Sequence, residues 1–262
     1  MAQEPVQEPE EAFARSVEEG ERRLHRSWPA LLSTGAMGGI DVGTGVLALL
    51  IVLHATGDDL LAALAFPIGF IAVTLAGSEL FTENFLVPVM TLATRRATVL
   101  DVARLWGGTL ATNLLGGWVF TALVMAGFGQ FRHDAQALGA GFARAGIGWA
   151  SFATAMIAGM IITLMTWMEH TSPSVGSRLV ASYVAGFLLA SGHLNHAIVG
   201  SLEMFAGLQR PGAPYGYLDW ASTMSWAALG NMVGGIGLVT LLRLVQAGGA
   251  KRRELRSVKG RS

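Results

Sequence analysis

Between about residues 29 and 246 the chain alternates long apolar runs with short polar connections. The pattern predicts six membrane-crossing segments: 29–54, 60–94, 104–127, 147–168, 179–207 and 220–245. Two of these runs are interrupted. In the second, Gly77-Ser78-Glu79-Leu80-Phe81-Thr82-Glu83-Asn84-Phe85-Leu86-Val87-Pro88 places two carboxylates, an Asn, a Thr and a Pro in otherwise apolar sequence. In the fifth, Ser191-Gly192-His193-Leu194-Asn195-His196 does the same. Backbone that leaves the helix at membrane depth is tolerated only where protein covers it or where it lines a cavity, and broken helices commonly surround transport sites. The first interruption therefore reads as a pore loop and the second as its counterpart. The stretch from Gly129 to Gly146 reads as a polar loop.

The third and sixth runs both contain Asn-x-x-Gly-Gly, at Asn113 to Gly117 and at Asn231 to Gly235, and each follows a broken run. Residues 29–128 and 147–246 thus look like two copies of a three-span unit. An odd number of spans per copy makes the second copy enter from the opposite side. The predicted fold is an all-α membrane protein of six transmembrane helices in an inverted 3+3 repeat, with the second and fifth helices broken. Asn113 and Asn231 are better suited to pinning loops than to touching a solute. In the first span, Gly35, Gly39 and Gly43 form a small-residue stripe for close helix contact. Asp41 lies near that span's middle, either facing a pore or hydrogen-bonded across helices near a broken-helix end.

Composition agrees with a membrane setting: 52% of the 262 residues are hydrophobic, 14% are charged, 34 are Gly, and the mean hydropathy is +0.49. Cysteine is absent, which excludes disulfides and thiol chemistry. Net charge is zero, but its distribution is not even. Of the 18 Lys and Arg, only Arg132, Arg144 and Arg210 fall on one side of a six-span layout. That bias predicts cytoplasmic termini at an inner membrane. Residues 1–28 read as a polar cytoplasmic segment with Phe13, Val17, Leu24 and Trp28 at helical spacing, either an interfacial helix or a docking element for a neighbouring subunit. Residues 29–246 form the channel domain, and 247–262 a basic cytoplasmic tail.

Leu80-Phe81-Thr82 after Gly-x-Glu, Ser191-Gly192 followed closely by His196, and the Asn-x-x-Gly-Gly of the sixth span together resemble the formate/nitrite transporter family. That family carries approximately A-E-L-F-T-G-N in its second helix and S-G-F-E-H-S-I-A-N in its fifth. The resemblance implies an aquaporin-like fold, a homopentamer with one pore per subunit, and passage of small monovalent anions or their neutral acids, often with a proton. The chain departs from the pattern at four places. Glu83 replaces a Gly, Asn195 stands before His196 after a one-residue insertion where the family has Glu, Gly200 stands where the family has Asn, and the fourth span holds no Lys or Arg.

A carboxylate-sized anion crossing hydrocarbon loses solvation of order 20 kcal/mol in an idealised estimate. Helix N-termini offset only part of that loss, and protonation removes it. His196 is the candidate proton donor, Thr82 and Asn195 are the hydrogen-bonding groups, and Leu80 and Phe81 are the apolar constriction. Glu79, Glu83, Asn84 and His193 are the remaining polar loop residues. Glu79 is assigned to backbone N–H groups of the facing half-helix, and Glu83 either repels anions or, if protonated, relays a proton. The alternatives are a pore for a neutral or cationic solute, motivated by Glu79 and Glu83, and a non-conducting scaffold whose tails recruit a partner. With no nucleotide loop, metal-ligand cluster or nucleophile–base pair in the sequence, neither an enzyme, a cofactor, a metal nor a nucleic-acid partner is expected. The expected partners are a small anion or weak acid, membrane lipid and further copies of the chain.

Overall fold

The computed structural model describes residues 9–172 and 174–248; the basic stretch from Lys251 to Arg261 lies outside the described residues. An amphipathic helix α1 (Pro9–Leu24) is followed by α2 (Trp28–Thr56), which starts with Pro29 in its first turn and stops at Gly57 in the left-handed region, φ 65°. The next helical stretch is α3 (Asp59–Ala65) and α4 (Ile68–Ala76), separated by Phe66 and Pro67. It ends where Gly77 takes φ 68°, a conformation that costs a side-chain-bearing residue and that glycine adopts freely. The chain then runs extended to Leu80 and makes a 3₁₀ turn, Phe81–Phe85. It resumes as α5 (Val87–Ala93) with Pro88 in the first turn.

Helix α6 (Val99–Gly127) begins at a Thr98–Asp101 capping box, one turn earlier than the apolar pattern suggests. After it come α7 (Arg132–Ala145), α8 (Trp149–Thr171) and α9 (Val175–Ser191). A break at residues 192–196 leads into α10 (Ala197–Leu208), and α11 (Tyr217–Met232) continues through a π-helical stretch, Val233–Thr240, into α12 (Leu241–Gln246). Among the described residues, five helical segments are long and apolar enough to cross a membrane: Trp28–Thr56, Asp59–Ala76, Val99–Gly127, Trp149–Thr171 and Tyr217–Gln246. Val175–Ser191 and Ala197–Leu208 are shorter apolar helices on either side of the second break.

Two expectations need correction. The segment from Gly129 to Gly146 is not a loop: α7 buries Ala135, Gly139, Ala140 and Phe142 on one face. Arg132, His133, Asp134 and Gln136 make it too polar to register as an apolar run. Helix α1 lies against its own chain, with Ala12, Phe13 and Val17 in one buried cluster with Leu86, Val87, Met90, Trp167 and Leu244. Thr91 Oγ1 donates to the Val17 carbonyl at 3.1 Å, fastening α1 to α5. Arg104 closes the turn into α2 by donating to the carbonyls of Leu24 and Arg26.

Candidate functional site

Both helix breaks are held by an asparagine from another helix. On α6, Asn113 Oδ1 accepts from the Phe81 N–H at 2.8 Å, while Nδ2 donates to the carbonyls of Gly35 (2.7 Å) and Glu79 (2.9 Å). On α11, Asn231 Oδ1 accepts from the Ala197 N–H at 2.9 Å, and Nδ2 donates to the carbonyls of Ala155 (2.7 Å) and Asn195 (3.0 Å). Because a backbone N–H can only donate, the two amides are oriented without ambiguity. Buried carbonyls and N–H groups freed by the breaks thereby regain partners.

The two breaks meet at one contact. Thr82 Oγ1 and His196 Nε2 lie 2.8 Å apart, and both residues are fully buried. His196 is also the N-cap of α10, its Nδ1 accepting from the Val199 N–H at 3.2 Å. A ring nitrogen that accepts carries no proton, so the imidazole proton belongs on Nε2, where it points at Thr82. Thr82 then accepts from the ring, and its own hydroxyl hydrogen is left to donate elsewhere. An imidazolium would set an Nδ1–H against the Val199 N–H and place positive charge at a helix N-terminus, both unfavourable. The Phe70 ring stands beside His196 at 6.4 Å between centroids.

Two cavities approach this contact from opposite ends of α9. One, of about 460 Å³, is lined by Arg15, Glu19, Arg22, Arg23 and Arg26 of the N-terminal segment, by Ser78, Glu79 and Glu83 of the first break, and by Glu169 and Arg178. The other, of about 480 Å³, is lined by Asp59, His133, Asp134, Arg144 and His193. Arg178 and His193 are fifteen positions apart along α9 and its end, so these mouths are separated by roughly 22 Å.

The remaining sequence candidates divide by location. Glu79 does not bind backbone N–H groups: its Oε1 meets Arg26 NH1 at 2.5 Å and Arg23 Nε at 3.2 Å. Docked α1 brings these cations over the break, so the carboxylate takes charged partners instead. Glu83 Oε2 accepts from the Leu80 N–H at 3.0 Å and caps the 3₁₀ turn while bordering the first cavity. Asn84 turns away towards α1, accepting from Arg23 at 3.1 Å. Asp41 accepts from the Ser78 hydroxyl at 2.6 Å, just past the end of α4. Asn195 donates to the Ser151 carbonyl at 3.4 Å. His193 is exposed at the second cavity, with φ 43°, a strained backbone for a residue with a side chain. Leu80 is fully buried, and Phe81 packs edge-on against Phe85 (4.9 Å) and Trp106 (6.4 Å). Neither borders the two cavities, whereas the Phe70 ring stands beside His196.

Arg23 and Arg26 were not singled out in the sequence as site residues. Their signal is weak, an Arg every third residue at the end of an amphipathic helix. Burial favours the neutral form of Arg23, but Glu79, Glu19 and Glu83 around it outweigh that and hold its pKa above the ordinary arginine value. Burial likewise pushes Glu19 up, and Arg23 and Arg22 reverse this and hold its carboxyl below the usual carboxylate value. Glu169 was also missed; its Oε1 accepts from the hydroxyls of Thr74 and Ser182, each at 2.9 Å. Among the described residues no group of three or more His, Asp or Glu is arranged to hold a metal ion.

Apolar helices that pack around two facing broken helices define an integral membrane transport protein rather than a catalyst. The family model described as formate/nitrite transporter matches residues 10–245, and the chain belongs to that family. It is similar to the inner membrane protein YfdC of Escherichia coli (strain K12), with 29% identity over 257 residues covering 87% of this chain and 76% of that one. Among solved structures, an FNT family ion channel superposes with a TM-score of 0.77 at 17% identity, covering 88% of this chain and 96% of the other. A pentameric formate channel with formate bound gives 0.66 at 20% identity, covering 83% and 96%. At these identities the two structures speak for the fold.

Proposed function

We propose that this protein is a channel or transporter for a small monovalent anion or its neutral weak acid, with formate, nitrite and acetate as the first solutes to test. The observation that carries the reading is the buried Thr82–His196 contact between two cavities, formed where two broken helices face each other. At that contact the positive end of α10 and the hydroxyl hydrogen of Thr82, whose oxygen is held by the Nε2–H of His196, face an oxyanion favourably. Apolar neighbours such as Phe70 favour passage of a neutral species. Because Nδ1 serves as the cap of α10, His196 acts here as a hydrogen-bond donor. It becomes a proton source only if that cap opens.

The matched roles of Asn113 and Asn231 support an inverted 3+3 repeat with six spans. The basic residues at the α1 face support cytoplasmic termini at an inner membrane, and likeness to a structure titled a pentameric formate channel supports a homopentamer. The first cavity is then cytoplasmic and the second external. A cation pore draws support from Glu79, Glu83 and Glu169 in the cytoplasmic cavity, but Arg15, Arg22, Arg23, Arg26 and Arg178 line the same walls and answer that charge.

The test is uptake into proteoliposomes of purified protein, with formate, nitrite and acetate as solutes and potassium as the control, at acidic and neutral pH. Weak-acid uptake above protein-free vesicles that rises as pH falls supports the reading. Potassium flux without acid flux overturns it.

A further inference from the structure

Helix α10 carries a second polar group beyond His196. Glu203 follows it by seven positions, so His196, Val199, Gly200 and Glu203 share one helix face, and the Glu203 Cα is roughly 10 Å further along the axis. Glu203 is 95% buried, at 5% relative exposure. Among the described residues no hydrogen bond or ion pair reaches its carboxylate. It lines a narrow chamber of about 20 Å³, room for roughly one water, together with Leu194 and Val199, the residue whose N–H caps onto His196. The walls of this chamber at Leu53, Asp59, Leu138 and His193 also border the external cavity, so the chamber is the inner end of that mouth.

An unpartnered carboxylate in a nearly dry chamber is costly to keep ionised, and it gains most from a proton arriving there. The groups facing it are few. α3 presents Asp59, the turn before α10 presents His193, and the loop before α11 presents Tyr215, whose hydroxyl donates to the Met204 carbonyl at 2.9 Å. Burial, and after it the Glu203 charge, push the Tyr215 hydroxyl above its ordinary pKa, which leaves it a poor proton source. α2 contributes only Leu49 and Leu53 to the chamber and α7 only Leu138 and Phe142, while His133, Asp134 and Arg144 of α7 lie in the wider mouth.

We propose that Glu203 is the proton-exchange group of the permeation path, giving a proton to a weak-acid anion on the external side of the Thr82–His196 contact. The proposal rests on the weak-acid reading above. In the step, the Glu203 O–H bond breaks as an O–H bond forms on an oxygen of the anion. The neutral acid moves on past Phe70 and Thr82, and the Glu203 carboxylate is reprotonated from the external cavity. The negative charge stays on Glu203, on the external side, until that proton arrives, so no ion has to cross the apolar waist. In the opposite direction the same bonds form and break in reverse. His196 keeps its cap in both directions.

The experiment uses the full-length protein in proteoliposomes with an internal pH-sensitive dye and formate as the probe, comparing wild type with Glu203→Gln and Glu203→Leu. Either variant removes the titrating group, and Leu suits the apolar walls should the Gln variant fail to assemble. The expected result is a loss of formate uptake and internal acidification at neutral pH by about tenfold or more, with the rise of uptake on acidification flattened. Wild-type vesicles that take up none of the tested acids remove the weak-acid reading and this proposal together. Active wild type with variants that keep its uptake, acidification and pH profile removes the assignment of Glu203 alone.

Discussion

The side-chain amides of Asn113 and Asn231 make the same three hydrogen bonds at two places in the chain. Each accepts from the N–H that opens the structure after a break, donates to the carbonyl two residues before it, and donates to a carbonyl of a neighbouring long helix. Removing either amide leaves three buried backbone groups unpaired, at about 1–3 kcal/mol each before relaxation. Asn113→Ala and Asn231→Ala are therefore expected to destabilise the protein by similar amounts, roughly 3 kcal/mol or more, read as a drop in thermal unfolding temperature in detergent. A large loss from one variant and none from the other would show that matching contacts do not carry matching loads.

The helices that receive these asparagines approach too closely for a side chain. A Cβ on Gly39 would stand 2.0 Å from the Asn113 carbonyl oxygen, and one on Gly159 2.1 Å from that of Asn231. Backbone cannot swing aside as a flexible side chain can, so Gly39→Ala and Gly159→Ala should each cost about 1–3 kcal/mol or block assembly. Gly107→Ala, with nothing within 4 Å, is the control and should be neutral or slightly stabilising. Comparable melting temperatures for Gly39→Ala and Gly107→Ala would contradict the close packing.

The breaks, the two asparagines and their following glycines were legible because each violates the pattern around it. Polar residues at membrane depth and a repeated Asn-x-x-Gly-Gly stand out in apolar sequence, and Gly116 and Gly234 prove to be where the carbonyls of Ala36 and Met156 come close. What was not legible depends on long-range contact. Glu79 gave no hint that Arg23 and Arg26 would fold back over it, since an amphipathic N-terminal helix has many possible surfaces. The place of Phe81 in the loop suggests a constriction, but its ring packs edge-on against Trp106. The direction of the His196 proton depends on the Val199 N–H, which becomes a donor to the ring only once α10 starts directly after His196. Helix α7 was hidden by its polar face, and the π-helical stretch has no sequence signature distinct from its helix.

Arg23 and Glu79 are both largely shielded from solvent, so cutting one removes a buried partner and leaves Glu79 with Arg26, or Arg23 with Glu19. Loss of one partner from an isolated buried pair costs about 3–5 kcal/mol; the remaining Arg26 and Glu19 bring the cost here below that, and loss of both costs less than the sum. Arg23→Gln and Glu79→Gln should each lower stability markedly, and the double variant should recover part of that loss. A double-mutant cycle in detergent measures the coupling; strictly additive losses would remove the pair from the account of how α1 is held.

Helix α1 should also depend on pH through Glu19, whose partners Arg22 and Arg23 lie on the same helix. Its carboxyl is held below the ordinary value of 4.5 in the folded protein, because Arg23 and Arg22 outweigh burial. A depressed folded pKa means the stabilisation is fully present above about pH 4.5 and is lost as pH falls through the lower folded value. Protection of the amides of residues 9–24, taken relative to the intrinsic exchange rate at each pH, should accordingly fall in that acidic window and not on going from neutral to alkaline pH. Glu19→Gln should remove this component, leaving α1 equally protected on both sides of the window.

Thr82 and His196 can be separated by substitutions that keep one role and delete another. Thr82→Val preserves shape but leaves the Nε2–H of His196 without an acceptor, at a cost of about 1–3 kcal/mol, equivalent to roughly five- to hundredfold in rate if the cost falls on the permeating state. Thr82→Ser keeps the hydroxyl and should retain most of the weak-acid flux. At position 196, Asn can still accept from the Val199 N–H and cap α10, whereas Leu cannot. His196→Asn is therefore expected to assemble with near-normal stability and reduced flux, and His196→Leu to lose stability as well. Flux and melting temperature measured on the same four preparations decide the matter. Wild-type flux in Thr82→Val would place the permeation path away from this contact, and equal stability of the two His196 variants would mean that the ring does not cap the helix.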